Sequence, residues 1–291
     1  MVVGHRVRTS SAALAVAAAV AWVAPPAAAA PQAGGERSAL IVGISRHAGG
    51  RPVGTVGGAG DARAVQEALR RAGWREDQLR VLIDGAATAA AIRDGISWLQ
   101  ARADDRSFSI FHYSGHTFQR GGDPDRDGEE LDEFIVPYDT RNIMADREVA
   151  DRLRAVPGWL WANFAGCEAI GFDEGLSGPR RLVTASSDEP EKSYERPDWG
   201  RSVYVGLMVH ESILGGRGDA DGDGRLSIQE AFAYAARDAP QMTAGQRTGP
   251  QHPQQRGGDG QPWFLDPPPP PPEPPALLPA RQKLCIGPIC L

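Results

Sequence analysis

The sequence predicts one α/β domain with a mostly parallel central sheet and helices on both faces. Three observations carry that expectation. Short, largely apolar runs at Ser38–Ile44, Leu79–Ile83, Ser107–Tyr113, Trp159–Phe164 and Arg181–Ser187 alternate with helical periodicity near 61–69, 89–101 and 147–156. Strands buried on both sheet faces read as continuous apolar runs, as these do. The segments between them are long enough for crossovers joining parallel neighbours.

The composition agrees. A chain of 291 residues that is 41% hydrophobic and 23% charged is of ordinary globular make-up and can bury a large core. Its net charge of −6 argues against a nucleic-acid partner. Residues 1–30 read as a secretory signal, with His5, Arg6 and Arg8, then the apolar run Ala12–Val23 and small residues at 28–30. The run is short for a membrane span, so the mature protein is expected to be extracytoplasmic, bacterial and without stable membrane insertion.

Taken in order, Ser38–Ile44 is the first strand. The Gly-rich stretch 49–60 lacks the spacing of a phosphate-binding fingerprint. A helix follows from Asp61, which is placed to cap it, with Ala62, Val65, Ala68 and Leu69 on one face. Leu79–Ile83 is the second strand, and Thr88 caps the helix that crosses to the third, Ser107–Tyr113. That strand stops at Ser114-Gly115, and His116 follows. An imidazole is thereby set at the carboxyl edge of the sheet, where open α/β sheets hold ligands. A polar, acidic loop is expected over 121–133. Next, Trp159–Phe164 ends in Ala165-Gly166-Cys167, which puts a cysteine at a second strand end, 51 residues after the histidine. A Cys and a His at adjacent strand ends are the two parts of a thiol hydrolase.

Val203–Leu214 reads as an amphipathic helix. Asp219–Glu230 then fits the twelve-residue EF-hand calcium loop. Asp219, Asp221, Asp223, Ser227 and Glu230 would offer side-chain oxygens, Arg225 its carbonyl, and Gly224 the turn. A lone loop of this kind is expected to bind Ca2+ weakly, in a structural role. The segment 242–260 lacks periodicity, and Trp263–Leu265 reads as a short closing strand. Eight prolines between Asp266 and Pro275 form an extended spacer. Of three cysteines, Cys285 and Cys290 can pair with each other or join another chain or surface, and pairing would leave Cys167 free. The expected organisation is a signal at 1–30, one domain over 36–265 and a tail over 266–291.

Tyr113-Ser114-Gly115-His116 resembles the Tyr-Ser-Gly-His-Gly block of the caspase-like peptidases, the metacaspase and bacterial caspase-domain group. Ala165-Gly166-Cys167 with Gly171-Phe172 is similar to that family's Asp-x-Cys-x-Ser-Gly-Gly-Phe block, and Glu133–Asp139 to its Glu-x-x-x-Pro-x-Asp segment. The resemblance runs from about Ser38 to about Tyr234. It implies a caspase-like three-layer sandwich and a cysteine endopeptidase acting on protein or peptide substrates. In that reading His116 and Cys167 form the dyad, and the backbone N–H groups of Thr117 and Cys167 hold the oxyanion. Asp61, Ser187 and Asp188 line the substrate groove, and Asp132, Asp146 and Asp173 match possible calcium ligands.

Three residues depart from the family's pattern. Thr117 replaces a Gly, Ala165 replaces an Asp that helps hold a basic substrate residue, and Glu168 sets a carboxylate beside the thiol. Two functions therefore stand: an active secreted peptidase, or a catalytically inactive relative serving as a calcium-stabilised extracellular binding or scaffold protein. Thiol reactivity separates them.

Overall fold

The computed structural model describes residues 35–50, 56–122 and 130–266, together with two short strands at Cys285–Ile286 and Ile289–Cys290. The expected signal and the proline run lie outside the described residues. In the tail, the antiparallel register sets Cys285 opposite Cys290.

A six-stranded sheet forms the centre. Its strands are β1 (Arg37–Gly43), β2 (Leu79–Ile83), β3 (Phe108–Ser114), β7 (Trp159–Ala165), β8 (Arg181–Ala185) and β11 (Gln254–Gly257), in the order β11-β8-β7-β3-β1-β2. All pairings are parallel except β11 with β8. Alternation along each strand divides the core into two layers. Leu40, Val42, Phe111 and Tyr113 pack on α2 (Ala89–Arg102) and α3 (Asp146–Arg154). Ala39, Ile41, Phe108 and Ile110 face α1 (Gly58–Arg71), the helix running from α4 (Val203–Val205) into a π-helical stretch (Gly206–Leu214), and α5 (Ile228–Thr243). This is the expected three-layer sandwich with a mostly parallel sheet.

Several local expectations need correcting. Helix α1 starts at Gly58, so Asp61 lies within its first turn and is not its cap. The glycines are needed for close approach: a Cβ on Gly58 would stand 2.5 Å from the Ser114 carbonyl and 2.6 Å from that of Ile44. They let the start of α1 rest on the ends of β1 and β3. Thr88 does cap α2, its Oγ1 accepting the Ala91 N–H at 3.2 Å. The acidic stretch 121–133 is in part strand. β4 (Thr117–Gly121) pairs with β5 (Leu131–Ile135), which pairs with β6 (Met144–Ala145), and Asp132 and Glu133 are buried. Residues 123–129 lie outside the described residues. The stretch 242–260 contains the edge strand β11, whose polar sequence hid it. Helix 203–214 is mostly buried, not half-exposed.

Candidate active site

The register of the two central strands assembles the site. Ser114 on β3 lies opposite Ala165 on β7, so His116 and Cys167 each fall two residues past a paired position. The chain ends then stay side by side. Gly115 donates its N–H to the Ala165 carbonyl at 3.1 Å, and Thr117 Oγ1 donates to the Cys167 carbonyl at 2.5 Å. Gly166 permits this contact, since a Cβ there would stand 2.8 Å from Thr117 Oγ1 and Cγ2. The His116 backbone is fixed by its carbonyl, which accepts from Tyr113 Oη at 2.6 Å and from the Val136 N–H at 3.1 Å.

That last bond orients the neighbouring donor. It makes 116 and 136 a hydrogen-bonded pair of the β4–β5 ladder, and such pairs alternate with non-bonded ones. Thr117, opposite Ile135, is then a non-bonded position whose N–H turns away from β5. Thr117 is also absent from the non-glycine residues with positive φ. A β-branched residue fits the extended backbone found here, so the change from Gly costs no backbone strain.

The electrostatics around Cys167 oppose its thiolate. Half-burial raises the thiol pKa most, and Glu168 and Glu195 add to it, while a Ser193 backbone hydrogen bond and Lys192 pull the other way. Glu168 is buried, ion-paired with Lys192 and held in the left-handed region (φ 50°, ψ 30°), uncommon for a non-glycine residue. Its own N–H donates to the Glu191 carbonyl at 2.8 Å, so the 191–195 segment runs across the cysteine turn.

The groove residues behave differently from expectation. Asp61 is fully buried, accepting from Ser114 Oγ at 2.6 Å and from the Ser202 N–H at 3.0 Å. Burial pushes its pKa up to about 6 against the pull of those donors. It therefore presents no open face to a substrate. Ser187 is buried too, donating to the Gly166 carbonyl and accepting from the Ala169 N–H, both at 3.1 Å, and so braces the cysteine turn. Asp188 is half-buried and caps its own loop through the Glu189 N–H.

A residue that drew no attention in the sequence lines an open cavity instead. Glu195 accepts the Gly57 N–H at 2.7 Å and lines a cavity of about 520 Å3 with Ser45, Arg63 and Arg201. Burial, with the Asp61 charge behind it, pushes its pKa up to about 7. One acid in a charged loop carries no sequence signal. His47 was also missed. It is buried beside His116, with ring centroids 5.7 Å apart, and its position just past β1 on the same sheet edge was the available clue.

Among the described residues, one trio of acids brings ligand atoms within 4.8 Å of one another: Asp219, Asp221 and Asp223. Asp219 accepts the Gly222 and Gly224 N–H groups, and Gly224 has φ 81°, which suits the tight turn. Glu230 closes a capping box with Ser227 and also accepts the Ala220 N–H at 3.3 Å. The end of the loop is tied to the closing segment, as Ser227 bridges Phe264, and Ile228 donates to the Trp263 carbonyl at 2.7 Å. A hard-oxygen donor set on a turn of this shape fits a divalent cation. The other acids form no such trio. The Glu133 N–H donates to Asp146 Oδ2 at 2.5 Å, and burial pushes Glu133 up to about 9. Asp132 is buried beside Glu133 in the chain, and Asp173 is held by Ser177 and Arg256.

A cysteine and a histidine at neighbouring strand ends of a parallel sheet are the arrangement that a thiol hydrolase uses. Residues 36–190 match the family model described as the caspase domain, and the chain belongs to that family of cysteine peptidases. It is 32% identical over 111 residues to Metacaspase-1 of Mycosarcoma maydis, covering 36% of this chain and 27% of that protein. It is 33% identical over 132 residues to Metacaspase-1 of Cryptococcus neoformans var. neoformans, covering 41% of this chain and 27% of that one. The chain thus spans about a quarter of the length of these curated relatives. A crystal structure of a Geobacter sulfurreducens protein shares the fold with a TM-score of 0.59 at 15% identity, over 79% of this chain and 97% of that one.

Proposed function

We propose that the protein is a secreted cysteine endopeptidase that cuts peptide bonds with the Cys167–His116 pair. The observation that carries this reading is the Ser114–Ala165 register, which sets both residues at equal depth past adjacent strands. Because its surroundings keep the thiol protonated, Cys167 needs His116 to take the proton as Sγ attacks the scissile carbonyl. The N–H groups of Cys167 and Thr117 receive the developing oxyanion. His116 then protonates the leaving amine, and water releases the acyl group from sulfur. With Ala165 lacking a carboxylate and Asp61 covered, Glu195 is the acid offered to a basic substrate residue in the adjoining cavity.

Calcium fits the Asp219–Glu230 loop, where Asp219, Asp221, Asp223, the Arg225 carbonyl, Ser227 and Glu230 would hold it. There it would neutralise the carboxylates and cross-link the loop, apart from the peptide chemistry. Export suits such a site, because extracellular calcium meets the demand of a weak loop. Among the described residues no helix is long and apolar enough to cross a membrane.

One observation favours the second reading, an inactive binding or scaffold relative: burial and two carboxylates all raise the Cys167 pKa. A peptide-library screen of the mature protein, with and without calcium and beside Cys167→Ala and His116→Ala, decides between them. Cleavage lost in both variants supports the peptidase; no cleavage by the unmodified protein under any condition supports the scaffold.

A further inference from the structure

The 191–195 segment that crosses the cysteine turn is a wall of the site. Ser193 lays its carbonyl oxygen 4.0 Å from Cys167 Sγ, and Glu195 lines the cavity. The wall is gripped from behind by Gln251, a fully buried residue in the stretch whose sequence showed no periodicity. Its Oε1 accepts the Tyr194 N–H at 3.1 Å. Its Nε2 donates to the Ser186 carbonyl at 2.8 Å and to Ser193 Oγ at 3.2 Å. A backbone N–H only donates and a carbonyl only accepts, so the two ends of this amide cannot be exchanged. Each buried polar group left without a partner costs roughly 1–3 kcal/mol, so a buried amide bonded on both sides is a specific structural commitment.

We propose that Gln251 is a positioning residue that fixes the spacing between Cys167 and the Glu195 wall of the substrate cavity. This rests on the Cys–His and Glu195 readings above and deepens them. One arm of the amide runs to the nucleophile: Ser186 Oγ donates to the Gly166 carbonyl at 2.7 Å and accepts the Gly166 N–H at 3.0 Å, next to Cys167. The other arm runs to Tyr194, next to Glu195. Gln251 is itself anchored on a helix, since its N–H donates to Thr243 Oγ1 at 2.9 Å and that hydroxyl donates to the Ala239 carbonyl at 2.7 Å, at the end of α5. Contacts on either side reinforce the grip. The His252 N–H donates to Glu191 Oε2 at 2.7 Å, and Tyr194 Oη donates to the Gly249 carbonyl at 2.6 Å.

The two arms are not equally dependent on Gln251. The cysteine turn keeps the bonds made by Thr117 Oγ1 and Ser187 Oγ, neither of which involves the amide. Loss of the amide therefore loosens the wall more than the nucleophile. The wall stays tethered at the Tyr194 carbonyl, which accepts the Val203 N–H at 2.8 Å, so the loosening is local. A displacement of about 1 Å between a nucleophile and the group that places its substrate is enough to cost about a hundredfold in rate.

The test is Gln251→Met, which keeps the side-chain length and removes both bonding atoms. It is made in the mature protein and again in a Glu195→Gln background. Three quantities are measured: kcat and KM on an Arg-containing fluorogenic peptide amide, the rate of Cys167 alkylation by iodoacetamide, and thermal melting. The expected result is a fall of about tenfold to a hundredfold in kcat/KM. Alkylation, which needs the thiol and not the wall, should change by less than about threefold. The loss should be much smaller in Glu195→Gln, where the placement of that acid no longer matters. Unchanged cleavage, equal losses in both backgrounds, or cleavage and alkylation falling together would overturn the proposal. Should Gln251→Met not fold, amide hydrogen exchange of the unmodified protein decides. A Tyr194 N–H protected like those of the central strands supports the grip, and one that exchanges as fast as an open loop refutes it. Alkylation of Cys167 that does not depend on His116 would sink the Cys–His reading itself. His116-dependent alkylation with unchanged cleavage in Gln251→Met would sink only this inference.

Discussion

Thr117→Val is the substitution that probes the join between the two strand ends. It keeps the β-branched shape and the extended backbone and removes one hydroxyl. That hydroxyl donates to the Cys167 carbonyl at 2.5 Å, a side-chain bond that ties Cys167 to the histidine segment. A bond of this kind is worth about 0.5–1.5 kcal/mol net. For a domain of this size each kcal/mol moves the midpoint by about 2–4 °C, so the melt should fall by about 1–6 °C. If the same energy is felt in the transition state, kcat should fall about two- to tenfold, since ~1.4 kcal/mol is a factor of ten. The N–H proposed for the oxyanion remains, so the loss should stay well short of that for His116→Ala. Differential scanning fluorimetry and steady-state kinetics on one peptide read both quantities. An unchanged melt with unchanged kcat would refute the claim that this bond sets the geometry.

Three further outcomes follow from the same contacts. Glu168→Gln removes a carboxylate that raises the Cys167 pKa and leaves Lys192 beside it, so alkylation of Cys167 near neutral pH should quicken; a slower rate would contradict the assigned electrostatics. Gly166→Ala forces a Cβ to 2.8 Å from Thr117, which should cost about 1–3 kcal/mol by overpacking and show as an earlier melt. Asp61 and Glu195 have folded pKa values pushed up to about 6 and about 7, chiefly by burial. The folded state therefore holds these protons more tightly than the unfolded chain. Their stabilising contribution is full at acid pH and is lost as pH rises through those values. Glu195→Gln should accordingly gain melting temperature over the unmodified protein at about pH 8 and not at about pH 5; equal gains at both would show that its titration is irrelevant.

Much of the architecture was legible because burial on both faces leaves a plain mark. Phe108 to Tyr113 and Trp159 to Phe164 are apolar or network-bonded throughout, and both became central strands. His116 and Cys167 were found because their strands end in small residues. The edge strand Gln254–Gly257 was not found, since an edge needs no apolar face and its sequence is polar. Polar pairing also hid a network inside the sheet, where Asn163 Oδ1 accepts from Thr184 Oγ1 at 3.0 Å and from Tyr204 Oη at 2.9 Å. Asp61, Ser187 and Glu195 show why site residues were harder. All three are polar residues in the right neighbourhood. Which of them meets solvent depends on the packing of the 195–202 segment against α1, and residue type does not encode that packing.

The most direct measurement is iodoacetamide labelling of the mature protein, mapped to Cys167 by mass spectrometry across pH and compared with His116→Ala. The account predicts labelling of Cys167 at neutral pH that drops sharply in the variant, because the proposed mechanism has His116 take the thiol proton. Slow labelling that is unchanged in His116→Ala would contradict a working Cys–His pair and leave the caspase-type fold serving a binding role.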